Sequence, residues 1–266
     1  MSENQVKSKQ RVIDHGEVFT AEREVNAMLD LVKQETEHID SRFLEPACGD
    51  GNFLAEILRR KLAVVKRIYR KSPIDYEKNA VLAATSIYGV DIMEEAVEIC
   101  KLRLFLKLIA QVEKTQDVET LPDIDFNIRS GNTLVGFTSI DEVKTALQMN
   151  LNGQYTSLLE SEEVNSHLLR IEEEANLAHR AYLQFQDQQL DKDIVTSQDK
   201  TALQKKLLQL NNELNRALAK TYGVNENSLE YSTRLENHKP YNWLAHFFGI
   251  MQTGGFDVII GNPPYV

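Results

Sequence analysis

Cysteine is nearly absent from this sequence. Cys48 and Cys100 are the only two among 266 residues, which excludes a disulfide framework, and their spacing fits no metal motif. No stretch approaches the ~20 consecutive apolar residues that a membrane-spanning helix needs. The first ten residues, MSENQVKSKQ, are polar and hold no apolar signal-peptide core, so a cytoplasmic location is expected. Positive charge is scarce as well: 30 lysines and arginines against 40 acidic residues give a formal net charge of −10. A chain that grips duplex nucleic acid unaided usually presents a basic face to the phosphates, so a complete duplex binder is disfavoured. What remains is ordinary globular composition, 42% hydrophobic and 26% charged, with room for one large α/β domain or one domain plus an insertion.

Two strand–helix units stand near the start. After a short loop from Asp14 to Thr20, Val25, Met28, Leu29 and Val32 give one helix an apolar stripe. Arg42 to Pro46 reads as a short strand, followed by the glycine turn Ala47-Cys48-Gly49-Asp50-Gly51. A helix is expected from Asn52 to Arg70, with Phe53, Leu54, Ile57, Leu58, Leu62, Val65 and Ile68 on its inner side. A helix over 76–84, a strand over 86–91, a helix over 93–113 and a strand over 125–129 follow. Alternation of this kind predicts a parallel sheet covered by helices.

The pattern then changes. Val164, Leu168, Ile171, Ala175, Ala178, Tyr182 and Phe185 alternate four-and-three spacing, and Leu203, Leu207, Leu210, Leu214 and Ala217 repeat it. This predicts an inserted antiparallel helical hairpin with arms of roughly 35–40 Å. It suits a structural arm, or one that contacts DNA or another domain. An aromatic stretch over 240–248 precedes the strand Phe256 to Ile260, and the chain ends Gly261-Asn262-Pro263-Pro264-Tyr265-Val266. A crossover back to the sheet would ordinarily follow, so the chain is expected to be a fragment. The division expected is 1–138 for cofactor binding, 139–238 for the hairpin, and 239–266 for a catalytic strand and turn of the first domain.

Three turns carry chemistry. The first joins strand to helix through two close glycines, which makes a nucleotide-sized cleft at the carboxyl end of a parallel sheet. Leu54 stands where the dinucleotide fingerprint needs a third glycine. Glu45 and Asp50 flank this turn; two carboxylates repel a pyrophosphate but suit the ammonium and sulfonium of S-adenosylmethionine. The alternative for Asp50 is a helix cap that satisfies free backbone amides. At the second strand end, Asp91 can accept both ribose hydroxyls and Ile92 can cover an adenine face, although an aspartate there also caps helices. Asn132, after the third strand, could meet the adenine edge or simply form a turn. The last turn is the specific one. Pro263 and Pro264 fix the backbone, so the Asn262 side-chain oxygen and the Pro263 carbonyl can both accept from an exocyclic amine. Tyr265 offers a stacking face to a base that has left its duplex.

Together these residues resemble the adenine-N6 DNA methyltransferases whose cofactor motifs precede the catalytic motif, and type IIG restriction–modification enzymes most nearly. Gly16-Glu17-Val18-Phe19-Thr20 matches the N-terminal motif, whose threonine contacts the methionine carboxylate, with Ala21 where proline is usual. The run from Phe43 to Leu54 matches the cofactor turn, including Ala47, Gly49, Gly51 and Phe53, and Gly89 to Ile92 matches the ribose strand. Ser130 to Leu134 matches the adenine-edge motif, with Asn132 for the more common aspartate, and Ile260 to Val266 matches the catalytic motif. The resemblance implies a Rossmann-like S-adenosylmethionine-dependent methyltransferase sheet with an inserted hairpin. It also implies in-line methyl transfer to adenine N6 in DNA, within a restriction–modification system, without metal or covalent intermediate. Double-stranded DNA would be read by parts absent from this chain, and the isolated fragment is expected to be inactive. No nuclease motif precedes Gly16, so no cleavage activity is assigned. The Asn-Pro-Pro-Tyr turn also occurs in protein glutamine methyltransferases, and an RNA methyltransferase or a non-catalytic cofactor-binding piece are further alternatives. Cys48 sits inside the cofactor turn and is not read as a cytosine-attacking nucleophile.

Overall fold

The computed structural model describes residues 20–110, 122–148, 160–190 and 197–263. The chain divides into two compact units, residues 1–130 with 256–266, and residues 131–255.

The first unit contains helices α1 (Glu22–Leu31) and α2 (Lys33–Glu37), strand β1 (Phe43–Glu45), helices α3 (Asn52–Tyr69) and α4 (Pro73–Thr85), strand β2 (Ile87–Asp91), helix α5 (Glu94–Ile109) and strand β3 (Ile128–Ser130). Its last strand, β4 (Val258–Ile259), comes from the far end of the sequence. All four strands are parallel, in the order β3-β2-β1-β4. Every strand therefore presents its carboxyl end to the same rim. The register pairs Phe43 with Ile87 and with Val258, and Glu45 with Gly89.

α3 shows how the sequence produces this packing. Phe53, Leu54, Ile57, Leu58, Leu62 and Val65 are all buried in one core with Phe43, Ile87 and Val97. Each such side chain contributes about 1.5–3 kcal/mol by leaving water. Ile68, expected on the same stripe, is exposed because the helix has already run past the sheet. Lys66 and Arg67 occupy the last turn, where cations meet the negative end of the dipole. Pro73 then opens α4 at its first turn, where a missing N–H costs nothing. The third strand begins later than expected, at Ile128, because residues 125–127 form a turn.

The opposite, amino-terminal rim is pinned by an interior cation. Lys61 is fully buried on α3, and its Nζ donates to Ile39 O, Ser41 O and Ser86 Oγ while lying 5.1 Å from the Phe43 ring centroid. It thus ties the segments entering β1 and β2 to one helix. Burial pulls the ammonium down to about 7. Lys61→Met is expected to cost about 1–3 kcal/mol at pH 7, because Ser41 O loses its donor even as a charge leaves the interior. Between about pH 7 and the ordinary lysine range, the unfolded chain binds a proton that the folded chain has released. Native stability therefore rises with pH there, and the gap to the methionine variant should widen in urea titrations run at pH 9.

The second unit holds α6 (Ile140–Leu147), α7 (Glu160–Leu190), α8 (Ser197–Thr221), α9 (Leu229–His238), α10 (Trp243–His246) and α11 (Phe248–Gln252). α7 and α8 pack side by side through the alternating seam: Ile171, Ala175, Ala178, Phe185, Leu203, Leu207, Leu210, Leu214 and Ala217 are buried. Residues 191–196 between them lie outside the described residues. α6, α10 and α11 pack on this pair. Asn242, wholly buried, is a polar pin: its Nδ2 donates to Asn211 Oδ1 and Asn215 Oδ1, and its Oδ1 accepts from Phe137 N. Tyr241, Trp243, His246 and Phe247 stack beside it, with ring centroids 4.7–6.1 Å apart. Among the described residues, no helix is long and apolar enough to cross a membrane.

Candidate functional site

The carboxyl rim of the parallel sheet collects the candidate residues of the first unit. β1 ends at Glu45, and the chain turns through Pro46 to Gly51 before α3 begins. Cys48 N donates to Val90 O, and Gly49 N donates to Asp91 Oδ2 at 2.8 Å, so the turn is fastened to the end of β2. The other carboxylate oxygen of Asp91 accepts from Met93 N at 2.9 Å and closes the start of α5. Asp91 thus does structural work with both oxygens. A carboxylate offers about four lone-pair sites, so two further acceptances remain chemically open to it. Ile92, beside it, is 38% exposed and shows an apolar face at the rim.

Gly51 caps α3 in the left-handed region, at φ 83°. A side chain there would meet Cys100 Sγ at 2.5 Å, so α5 can approach the turn only over glycine. Gly89 is needed for a similar reason: a side chain would strike Leu54 at 2.6 Å. The Cys48 thiol is buried and pushed up by its hydrogen bond with Cys100 and by desolvation. A thiol held protonated is a poor nucleophile.

Glu45 is the unusual group. It is 4% exposed, and its Oε2 has no hydrogen-bond partner among the described residues. Burial holds its carboxyl well above the usual carboxylate range, and Cys100, Asp91 and Asp50 add to the effect. Asp50 is also buried. Gly51 at the N-cap of α3 has no side chain to cap the helix, and Asp50 Oδ2 accepts from Arg103 on α5 at 2.8 Å.

The last strand brings its turn to the same rim. Ile260 N donates to Leu44 O, and a side chain at Gly261 would lie 3.4 Å from Glu45 Cγ. Asn262 Nδ2 donates to Thr20 Oγ1 at 3.2 Å, across 242 residues of sequence. Thr20, Glu45, the Ala47–Gly51 turn, Asp91, Ile92 and Asn262 are therefore neighbours along the carboxyl ends of β2, β1 and β4. Phe53 is buried beneath them in the core. Asn132 belongs to the second unit, where its N donates to Lys239 O and its Oδ1 accepts from Leu134 N in a tight turn. Pro264 and Tyr265 lie outside the described residues, as does the segment from Gly16 to Phe19. Arg103 was not anticipated from sequence: an arginine in mid-helix carries no signal of which loop it reaches.

Comparison with known proteins identifies the family. The family model described as N-6 DNA methylase matches residues 5–155, and that described as Eco57I restriction-modification methylase matches residues 85–266. A putative type II restriction enzyme and methyltransferase of Methanocaldococcus jannaschii is 32% identical over 260 residues, covering 84% of this chain and 22% of that protein. The type II restriction enzyme and methyltransferase Eco57I of Escherichia coli is 29% identical over 129 residues, covering 42% of this chain and 13% of that protein. The chain thus spans about a fifth or less of the length of these two curated relatives. Each of the two family models covers more than half of the sequence, and the chain belongs to the N-6 DNA methylases and to the Eco57I restriction-modification methylases.

Proposed function

We propose that this chain supplies the donor-binding rim and the catalytic turn for S-adenosylmethionine-dependent methylation of adenine N6 in DNA, within a restriction–modification system. The observation that carries the reading is the meeting of Thr20, Glu45, Asp91 and Asn262 on one rim of one parallel sheet. The strand order β3-β2-β1-β4 supports a Rossmann-like methyltransferase sheet, with residues 139–238 read as a hairpin insertion and 239–266 returning to the sheet. The Arg170–Glu213 ion pair, placed nearly symmetrically about residues 191–196, supports an antiparallel hairpin.

The residues present suit the cofactor. Glu45 Oε2 is a buried acceptor without a partner among the described residues, in an acidic surrounding that favours a cation over a phosphate. When bound, S-adenosylmethionine supplies a methyl group on a sulfonium. Glu45 would accept from the ligand's ammonium, the Thr20 hydroxyl would donate to its carboxylate, and Asp91 would accept from the ribose hydroxyls. Ile92 covers the adenine face, and Asn132 is assigned to the adenine edge by its motif alone. Asn262 Oδ1 and the Pro263 carbonyl accept both hydrogens of the target amine, which frees the nitrogen lone pair from conjugation and aims it. Pro264 stiffens the turn, and Tyr265 stacks on the flipped base. Double-stranded DNA is the proposed substrate, contacted in part by segments outside this chain.

Transfer of a labelled methyl group to duplex DNA, followed by nucleoside analysis, tests the reading. N6-methyladenine supports it; label found only on protein glutamine or RNA sinks it. Asp91→Ala is expected to weaken cofactor binding by about 1–2 kcal/mol, through loss of charged hydrogen bonds to ligand and turn. Unchanged affinity by calorimetry would remove Asp91 from the site.

A further inference from the structure

The geometry points to Arg103 as a positioning residue for the cofactor turn, one that withdraws the Asp50 carboxylate from the ligand and cancels its charge. The argument begins with α5. Cys100 presses on Gly51 so closely that no side chain fits between them, and Arg103 follows three residues later on the same face of the helix. Its guanidinium then spans the turn: one terminal nitrogen donates to Asp50 Oδ2 at 2.8 Å and the other to Asn52 Oδ1. Asn52 is the first residue of α3 and Asp50 is the residue before its cap, so one planar fork grips both sides of Gly51. Asp91 holds the same turn at Gly49. The turn is clasped from two directions, by β2 and by α5.

The electrostatic consequence is specific. The Asp50 side chain is only 9% exposed, and Arg103 supplies its counter-charge at hydrogen-bond distance. Of the carboxylates flanking the turn, Glu45 keeps a buried oxygen without a partner among the described residues, while Asp50 is matched. The charge that a ligand meets at the turn is therefore set by Glu45, with Asp91 at the neighbouring strand end. Without Arg103, Asp50 would add a negative charge and strengthen the preference for a ligand carrying one more positive charge.

The inference rests on the cofactor reading, and two ligands separate it from that reading. S-adenosylmethionine and S-adenosylhomocysteine differ by the sulfonium charge, so the ratio of their affinities reads the field at the turn. Titration calorimetry on the full chain should show that Arg103→Met raises the ratio in favour of the sulfonium ligand by about three- to tenfold. Arg103→Lys should bring it back to within about twofold of native, and adding Asp50→Asn to Arg103→Met should abolish the rise. Asp50→Asn alone, which leaves the α5 surface intact, should lower the ratio because Arg103 is then unmatched. That variant decides the matter if Arg103→Met does not fold. A ratio that none of these substitutions moves, with both ligands weakened alike, overturns the assignment and leaves Arg103 a plain structural residue. A native chain that binds neither ligand overturns the cofactor reading and this inference together.

Discussion

Asn262→Ala is expected to cut methyl transfer to DNA by about 10²–10³-fold while shifting S-adenosylmethionine affinity by no more than about 1 kcal/mol. The separation of the two effects follows from geometry. Asn262 Nδ2 is committed to Thr20 Oγ1, so the amide is already oriented and its Oδ1 is the acceptor end. Alanine removes an acceptor that acts on the target amine, an interaction strongest when the nitrogen rehybridises in the transition state. On the donor side it removes the hydrogen bond that steadies Thr20. Single-turnover transfer and calorimetry on the same preparation distinguish the outcomes. A large loss of cofactor affinity with an unchanged transfer rate would move Asn262 from the catalytic turn to the donor site. Asn262→Asp keeps an acceptor but gives up the donor to Thr20, and should recover part of the transfer rate.

The fold was legible where chemistry and periodicity coincide. Two close glycines between a strand and an apolar-striped helix identified the β1–α3 turn, because such a turn needs left-handed backbone at Gly51 and room for α5. The parallel sheet followed from alternation of strands and helices, and the four observed strands are all parallel. Residue types at the rim were legible too, since Glu45, Asp91 and Asn262 each end a strand or follow one. Their partners were not. That Asp91 spends both oxygens on backbone amides, or that Asp50 faces an arginine 53 residues away, depends on how α5 lies against the turn. Lys61 was equally invisible: a lysine in mid-helix carries no signal of burial, and the acceptors Ile39 O, Ser41 O and Ser86 Oγ explain it. Ile68 erred the other way, because periodicity continues along a helix after the sheet beneath it has ended.

Cofactor affinity should rise with pH through the weakly acidic range, approaching tenfold per pH unit and exceeding about 10-fold over two units, and Glu45→Gln should flatten that rise. In the ligand-free chain burial, with Cys100, Asp91 and Asp50 adding to it, holds the Glu45 carboxyl well above the usual carboxylate range. A ligand ammonium at Oε2 reverses the balance, since an opposite charge at hydrogen-bond distance favours the ionised form. Binding then expels one proton, and affinity climbs until the pH passes the ligand-free pKa of Glu45, above which the slope disappears. The groups facing Glu45 enter the same argument. Asp91 stands on β2, Asp50 on the turn with Arg103 as its counter-charge, and the Cys48 thiol is pushed up. Asn262 and Thr20 are neutral throughout, so Glu45 is the carboxyl through which the shift passes. Stability of the ligand-free chain has the opposite sign. Because the folded pKa lies above the unfolded one, Glu45 contributes its full share of stability below about pH 4 and loses it as pH rises through the folded value. Calorimetry in two buffers of different ionisation enthalpy measures the released proton directly. A proton count of zero in the native chain, or a slope that survives Glu45→Gln, would show that the cation of the ligand does not sit on Glu45.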